Sequence, residues 1–195
     1  MNICFATNNQ HKLEEVRAML GSQFHIISLK DIGCTEELLE EQSTLEGNSL
    51  QKARYIFQTY HVPCFADDTG LEIEALKGEP GVDTAHYAGP QRSAEDNMNK
   101  VLRELDGIEN RKAQFRTVIT LCAPSLTKQF QGVVKGQIAK EKKGDGGFGY
   151  NPIFIAEGYD RTMAEMTMEE KNAISHRAMA IQELVFFLKN NPGLV

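Results

Sequence analysis

Short apolar runs, each the length of one strand, alternate along this chain with longer segments whose apolar residues have helical spacing. This alternation is the sequence feature that most restricts the possible folds. The first run, Ile3-Cys4-Phe5-Ala6, is typical of a buried strand, and the helical spacing that follows it ends at Gly21. A second helix is predicted over about residues 47–60, followed by a strand at residues 64–66. Strands and helices continue to alternate without a repeat or a linker, which predicts an α/β protein.

The remainder of the chain adds a third helix, a hairpin and a long helical stretch. Ser93 begins a capping box for the third helix. Residues 113–123 and 130–138 alternate like two strands joined by a short loop, which predicts the hairpin. The last helical stretch covers about residues 167–190.

A break is predicted inside this last helical stretch. On one uninterrupted helix Lys171 and Arg177 would lie about 120° apart around the axis, because a turn contains 3.6 residues. If both side chains contact one ligand, the helix must end between them. Ser175 is a good N-cap, so we predict the break near residues 172–175 and the main helix from His176 to about Lys189.

The acidic residues are concentrated in one segment. The 195 residues carry a formal net charge of −6, and Glu36, Glu37, Glu40, Glu41 and Glu46 lie together without a basic residue between them. A solvated face is the ordinary interpretation of such a cluster, and a cation site is the alternative. The net charge argues against a protein that coats nucleic acid.

The length fits one domain. The four cysteines are widely spaced, which predicts buried reduced thiols. The sequence contains neither the ~20-residue apolar run of a membrane span nor a recognisable export signal, so we predict a cytoplasmic protein.

Two short patterns suggest chemistry that their context excludes. The segment at residues 144–149 matches G-x-G-x-x-G, but it neither follows a predicted strand nor opens a helix, as a dinucleotide site requires. It is interpreted as a loop that carries Phe148 and Tyr150, either as core aromatics or as a stacking platform for a planar ring. Ser175 and His176 point about 100° apart on a helix, so they do not predict a nucleophile and its base.

Two adjacent carboxylates follow the strand at residues 64–66. Asp67 and Asp68 precede a predicted turn at Gly70, and residues 71–75 then alternate like a strand exposed on one side. Adjacent carboxylates repel each other and raise one pKa, so the pair requires a compensating group.

Four segments stand in one order along the chain: Phe5-Ala6-Thr7-Asn8-Asn9-Gln10-His11-Lys12, Ala66-Asp67-Asp68-Thr69-Gly70-Leu71, Gly146-Gly147-Phe148-Gly149-Tyr150-Asn151-Pro152 and Glu169-Glu170-Lys171-Asn172-Ala173-Ile174-Ser175-His176-Arg177. Together they resemble the inosine triphosphate pyrophosphatase family, the HAM1-like nucleotide hydrolases. The resemblance implies one elongated α/β domain over residues 1–195, with a mixed twisted sheet and flanking helices in two lobes around a central cleft. It also implies a homodimer and Mg²⁺-dependent hydrolysis of ITP, dITP and XTP to the monophosphate and pyrophosphate.

The resemblance further implies roles for single residues. Glu40 and Asp68 match Mg²⁺ ligands, and Asp68 matches the group that orients or deprotonates the attacking water. Such a dication would relieve the repulsion between Asp67 and Asp68. For Lys52 a phosphate contact and a surface position on the second helix are both open. The residues implied to contact the substrate are Thr7, Asn8, Asn9, Lys12, Lys52, Thr69, Phe148, Gly149, Tyr150, Asn151, Lys171, His176 and Arg177.

Base selection follows from donor chemistry at two of these positions. Arg177 and a protonated His176 only donate, so they would satisfy the C6 carbonyl oxygen of hypoxanthine or xanthine and stay unpaired against the amino group of adenine. Phe148 would stack on the base. Two positions depart from the family pattern, since Asn8 replaces a usual glycine and Asn151 a usual aspartate. We expect these departures to alter base preference and to preserve activity.

Two other functions remain as alternatives. A purine-nucleotide sensor without catalysis would use the same residues. A nicotinamide-dependent oxidoreductase is supported only by the glycine pattern at residues 144–149.

Overall fold

The structure is a computed structural model that describes residues 2–20 and 24–194. The strands in this part of the chain are β1 (Asn2–Phe5), β2 (His25–Ile27), β3 (Cys64–Ile73), β4 (Pro80–Gly81), β5 (Lys112–Ala123), β6 (Leu126–Ile138) and β7 (Phe154–Ala156). The α-helices are α1 (Gln10–Leu20), α2 (Leu45–Tyr60), α3 (Ala94–Glu104), α4 (Met168–Ile174) and α5 (His176–Asn190). Gly21, the predicted end of the first helix, lies outside the described residues. No helix in the described ranges is long and apolar enough to cross a membrane.

The strands form one mixed sheet. Its order is β2-β1-β3-β5-β6-β7, and β4 pairs with β3. Strand β1 is parallel to both β2 and β3, with Phe5 opposite Phe65. Strands β4 and β7 are antiparallel to β3 and β6 respectively. A mixed sheet with helices between its strands confirms the predicted α/β class.

Contacts divide the chain into two compact units. The first contains the chain up to Asp68, residues Thr117–Gly132 and the chain from Arg177 onward, and the second contains Thr69–Arg116 and Val133–His176. Each unit has buried apolar clusters of its own. The two lobes around a cleft and the single domain over residues 1–195 stay predictions.

The turn predicted at Gly70 is wrong, because β3 continues through it to Ile73. Leu71 and Glu72 pair with Gly81 and Pro80 of β4, which holds the backbone extended beyond the glycine. Glycine adopts extended backbone as readily as a turn, so the residue type alone did not decide the conformation.

The predicted break in the last helical stretch is confirmed. Helix α4 ends at Ile174, Ser175 is extended with ψ 130°, and α5 begins at His176. Helix α4 begins with a capping box in which the Thr167 hydroxyl accepts from the Glu170 N–H and the Glu170 carboxylate accepts in return from the Thr167 N–H.

The glycine-rich loop opens no helix. It leads into a short 3₁₀ turn at Asn151–Ile153 and then into β7, so the dinucleotide interpretation is excluded. Gly147 has φ +82°, and a Cβ there would lie 2.1 Å from the side-chain nitrogen Nδ2 of Asn151. Both observations explain a glycine at this position.

The four cysteines are buried and free, as predicted. Ser93 caps α3 by accepting a hydrogen bond from the Asp96 N–H, which also agrees with the sequence pattern.

Candidate active site

The charged residues of the first unit meet beyond the carboxyl end of β1, where its parallel pairing with β3 ends. The two strands are parallel and in register at Phe5 and Phe65, so the loop after β1 and the carboxylates of β3 lie at neighbouring positions along the sheet. Ligands of open α/β sheets bind outside this edge. The topology therefore places Lys12, at the start of α1, beside Asp67.

Asp67 forms a buried ion pair with two cations. Lys12 Nζ lies 3.0 Å from both carboxylate oxygens of Asp67, and Arg177 Nε lies 3.2 Å from Oδ2. Arg177 also pairs with Glu15 through its terminal nitrogen. Burial raises the pKa of Asp67, but Lys12 and Arg177 outweigh burial and hold that pKa far below its usual range.

Asp68 has a different environment. Asn48 Nδ2 donates to its Oδ2 at 3.2 Å, and Lys52 Nζ lies 3.8 Å from its Oδ1 while pairing with Glu40. Burial raises the pKa of Asp68, and the nearby Glu40 raises it further against the opposing effect of Lys52. For Glu40, burial raises the pKa, but the charge and hydrogen bond of Lys52 together with the charge of Lys12 lower it overall.

Lys52 is a buried residue of α2. Its side chain is 6% exposed, so the surface position left open by the sequence is wrong. Burial alone would lower the pKa of Lys52, but Asp68 and Glu40 raise it overall and keep the ammonium charged.

The two adjacent aspartates have different hydrogen-bond partners. Successive side chains of a strand point to opposite faces, and accordingly Asp67 contacts Lys12 and Arg177 whereas Asp68 contacts Asn48. The direct repulsion between the two carboxylates is therefore smaller than the sequence suggested. The pKa of Asp68 is still raised by burial and by Glu40, and a divalent cation beside it stays a prediction.

The oxygen donors beside Lys52 bear on a metal site at Glu40 and Asp68. No group of three or more His, Cys, Asp and Glu side chains within residues 2–20 and 24–194 could hold a metal ion by itself. Glu40 and Asp68 both face Lys52 and supply hard oxygen ligands. Mg²⁺ is usually held by one or two carboxylates together with waters and substrate phosphates, so this pair fits Mg²⁺ bound jointly with a substrate.

The polar side chains after β1 order their own loop. The Thr7 hydroxyl accepts from the Asn9 N–H at 3.1 Å, and Asn9 Oδ1 accepts from the Lys12 N–H at 3.2 Å, as an N-cap of α1 would. These bonds fix the first turn of α1 and therefore the backbone position of Lys12. Thr69 is half-buried on β3.

The other predicted binding residues belong to the second unit. Phe148 is 43% exposed, whereas Tyr150 is buried and its hydroxyl donates to the Thr84 carbonyl at 2.9 Å. Tyr150 is therefore a core aromatic, and its contact with the substrate stays a prediction. His176 stacks on Phe115 with ring centroids 5.1 Å apart.

The structure also places four further residues that are predicted to contact the substrate. Gly149 has φ +63° in the glycine-rich loop, and Asn151 begins the 3₁₀ turn that follows. Lys171 of α4 is 8% exposed, and Arg177 is 3% exposed beside Asp67 and Glu15. The prediction that residues of both units contact one ligand stays a prediction. The same holds for a hydrogen bond from Arg177 to the purine base of the substrate.

Sequence reasoning missed two residues of the site, Asn48 and Glu15. Asn48 lies one helical turn before Lys52 on α2, and Glu15 lies one turn after Lys12 on α1. Residues three or four apart share a helix face. This spacing was visible in the sequence, and it would have placed both side chains beside the predicted lysines.

A cavity of about 820 Å³ lies in the second unit, away from these residues. Glu72, Lys112, Lys135 and Glu157 are among the described residues that line it, and none of the lining residues is a predicted site residue. Glu72 is already engaged by Gln114 and Arg116.

Comparison with known proteins decides the family. A sequence model described as the Ham1 family matches residues 3–187. The chain belongs to the Ham1 family. Two Ham1 relatives, both named dITP/XTP pyrophosphatase, are those of Flavobacterium johnsoniae (50% identical, covering 96% of this chain and 98% of the relative) and Flavobacterium psychrophilum (51% identical, covering 97% and 100%).

Solved structures agree with the Ham1 assignment. The Ham1 protein of Staphylococcus aureus has a TM-score of 0.90 at 39% identity, covering 97% of this chain and 99% of that one. A structure described as a nucleoside-triphosphatase or dITP/XTP pyrophosphatase from Mycobacterium abscessus has a TM-score of 0.80 at 38% identity, covering 95% and 99%.

Proposed function

We propose that this protein hydrolyses non-standard purine nucleoside triphosphates, dITP, XTP and ITP, to the monophosphate and pyrophosphate. The observation that carries the proposal is the pair of adjacent aspartates with opposite electrostatic environments where the parallel pairing of β1 and β3 ends. The names of relatives about half identical to this chain support the substrate class. These names are those of enzymes, and no observation favours a sensor.

Each charged residue has a separate part in the proposed reaction. Lys12 and Lys52 provide positive charge for the phosphates, and the carboxylates beside them fix their positions. Asp67 anchors Lys12 and Arg177 and stays ionised. Asp68, oriented by Asn48, accepts the proton of the water that attacks phosphorus. Mg²⁺ on Glu40 and Asp68 would supply charge neutralisation on the triphosphate.

The proposal includes the remaining predicted properties. Arg177 and His176 would select the base through its C6 oxygen, and the two units would form lobes around the substrate. Thr7, Asn9, Thr69, Gly149, Asn151 and Lys171 would add contacts. A homodimer and a cytoplasmic location complete the proposal, and sedimentation and cell fractionation would test them.

The substrate and metal are tested by pyrophosphate release from dITP, XTP, ITP, GTP and ATP in parallel. We expect dITP and XTP to be cleaved at least about 100-fold faster than ATP, because a buried donor left unpaired against adenine is costly. Chelation with EDTA should abolish the release, and added Mg²⁺ should restore it. Turnover of ATP as fast as that of dITP and XTP would contradict the base-selection argument. Full activity in EDTA would contradict the requirement for a metal ion.

The two aromatic residues of the glycine-rich loop should respond differently to substitution. Phe148→Ala is expected to raise KM for dITP about 5- to 100-fold, the range for loss of one base stack, with little change in Tm. The matched variant Tyr150→Phe should keep KM and lower Tm slightly, because it removes the bond to Thr84. An unchanged KM in Phe148→Ala would exclude the stacking role.

A further inference from the structure

The acidic segment at residues 36–42, called here the Glu40 segment, has no helix or strand to hold it in place. Its backbone is held by the buried side chain of Leu38, which belongs to an apolar cluster, and by hydrogen bonds from other parts of the chain. Glu40, the proposed metal ligand, lies in its middle. The residues that hold this segment also control where the Glu40 carboxylate stands.

Helix α2 holds the segment from one side. Asn48 accepts from the Gln42 N–H at 2.8 Å, and Gln51 accepts from the Glu41 N–H at 3.1 Å. Lys52 pairs with Glu40, and Tyr55 donates to Glu36. Positions 48, 52 and 55 share one face of a helix, so a single face of α2 makes these contacts.

Asn8 holds the segment from the other side. Its Nδ2 donates to the Glu36 carbonyl at 3.1 Å, and its Oδ1 accepts from the Leu38 N–H at 3.0 Å. The amide thus uses a donor and an acceptor on two backbone groups two residues apart. This arrangement also fixes the orientation of the amide, since a flipped side chain would face N–H with NH₂ and carbonyl with carbonyl.

We propose that Asn8 is a positioning residue for the metal ligand Glu40. Its side chain joins the loop after β1, which leads into α1 and Lys12, to the Glu40 segment, and so keeps Glu40 beside Lys52 and Asp68. Glycine is the residue that the family resemblance gives as usual at this position, and it has no side chain to form either hydrogen bond. The inference rests on the proposed function only for the role of Glu40.

The test compares Asn8→Gly and Asn8→Asp with wild type, using two independent measurements. Hydrogen exchange without substrate reports how firmly the Glu40 segment is held. The Mg²⁺ concentration giving half-maximal pyrophosphate release from dITP reports the position of Glu40. The matched control is Asn190→Ala, another exposed asparagine whose amide donates to a backbone carbonyl, that of Phe186 at 2.8 Å.

We expect Asn8→Gly to speed exchange across residues 36–42 and to raise the half-saturating Mg²⁺ concentration, each about 5- to 10-fold, as loss of two exposed hydrogen bonds predicts. Asn8→Asp keeps the acceptor for Leu38, loses the donor and turns an oxygen towards the Glu36 carbonyl, so it should also speed exchange and raise the Mg²⁺ requirement. Asn190→Ala should match wild type.

Unchanged exchange in Asn8→Gly would overturn the proposal. Faster exchange with an unchanged Mg²⁺ requirement would equally overturn it, because the segment would then be held without positioning Glu40. A wild-type chain that releases no pyrophosphate would instead overturn the proposed function, and the exchange result would still decide whether Asn8 holds the segment.

Discussion

Asp68→Asn is expected to lower kcat for dITP by about 10³- to 10⁴-fold, the upper part of the range for a general base. Asparagine has the same shape but does not accept the proton of the attacking water, and it is a weaker ligand for Mg²⁺. Asparagine can still accept the bond from Asn48 through its carbonyl oxygen, so the local geometry should persist. Steady-state pyrophosphate release at saturating dITP and Mg²⁺ measures the effect.

The same substitution should not destabilise the protein. Burial raises the folded-state pKa of Asp68, so the ionised carboxylate costs stability at every pH above its unfolded pKa of about 3.9. A neutral asparagine removes that cost, and Tm at pH 7 should be equal to or above that of wild type. The control is Asp83→Asn, an exposed aspartate paired with His86, which should keep both kcat and Tm. A kcat for Asp68→Asn within about tenfold of wild type would remove Asp68 from the mechanism.

The sequence predicted those parts of the fold that depend on local pattern. Helix α2 begins two residues before its predicted start, and the break at Ser175 was predicted from the angular separation of Lys171 and Arg177. The strand at residues 71–73 was predicted, but its continuity with residues 64–66 through Gly70 was not, because it depends on pairing with β4. Strand pairing is a contact between separate segments, and turn residues such as Gly70 are compatible with either outcome.

The same distinction applies to the candidate site. The resemblance identified the charged residues, but it did not indicate which cation compensates which carboxylate. Lys12 lies 55 residues from Asp67 in sequence, and Arg177 lies 110 residues from it. Only the folded chain brings these groups together, and it shows that Asp67 and Asp68 have separate partners. The sequence argument assumed that the Asp67 and Asp68 side chains lie side by side. In the strand, successive side chains point to opposite faces.

Asp67→Asn is expected to lower the free energy of unfolding at pH 7 by about 3–5 kcal/mol, because it removes one partner from a buried charge pair. Lys12 would lose its carboxylate, and Arg177 would keep only Glu15. For a chain of this length the change corresponds to a decrease in Tm of roughly 10 °C. Urea unfolding followed by circular dichroism measures it.

Acid provides an internal check on this effect. The folded-state pKa of Asp67 is depressed, so its contribution is complete above the unfolded pKa of about 3.9 and is lost as the pH falls towards the folded value. The stability difference between wild type and Asp67→Asn should therefore shrink below about pH 4. A difference independent of pH from 7 to 3 would contradict the charge-pair explanation.

A double variant separates the unpaired charge from the lost hydrogen bonds. Adding Lys12→Met to Asp67→Asn removes the ammonium that the single variant leaves buried without its carboxylate, so about half of the lost stability should return. Asp83→Asn serves again as the matched surface change and should alter stability by less than about 0.5 kcal/mol. If the double variant is less stable than Asp67→Asn, packing of the Lys12 side chain rather than its charge holds α1 against β3. Asp67 would then be an anchor for Arg177 alone.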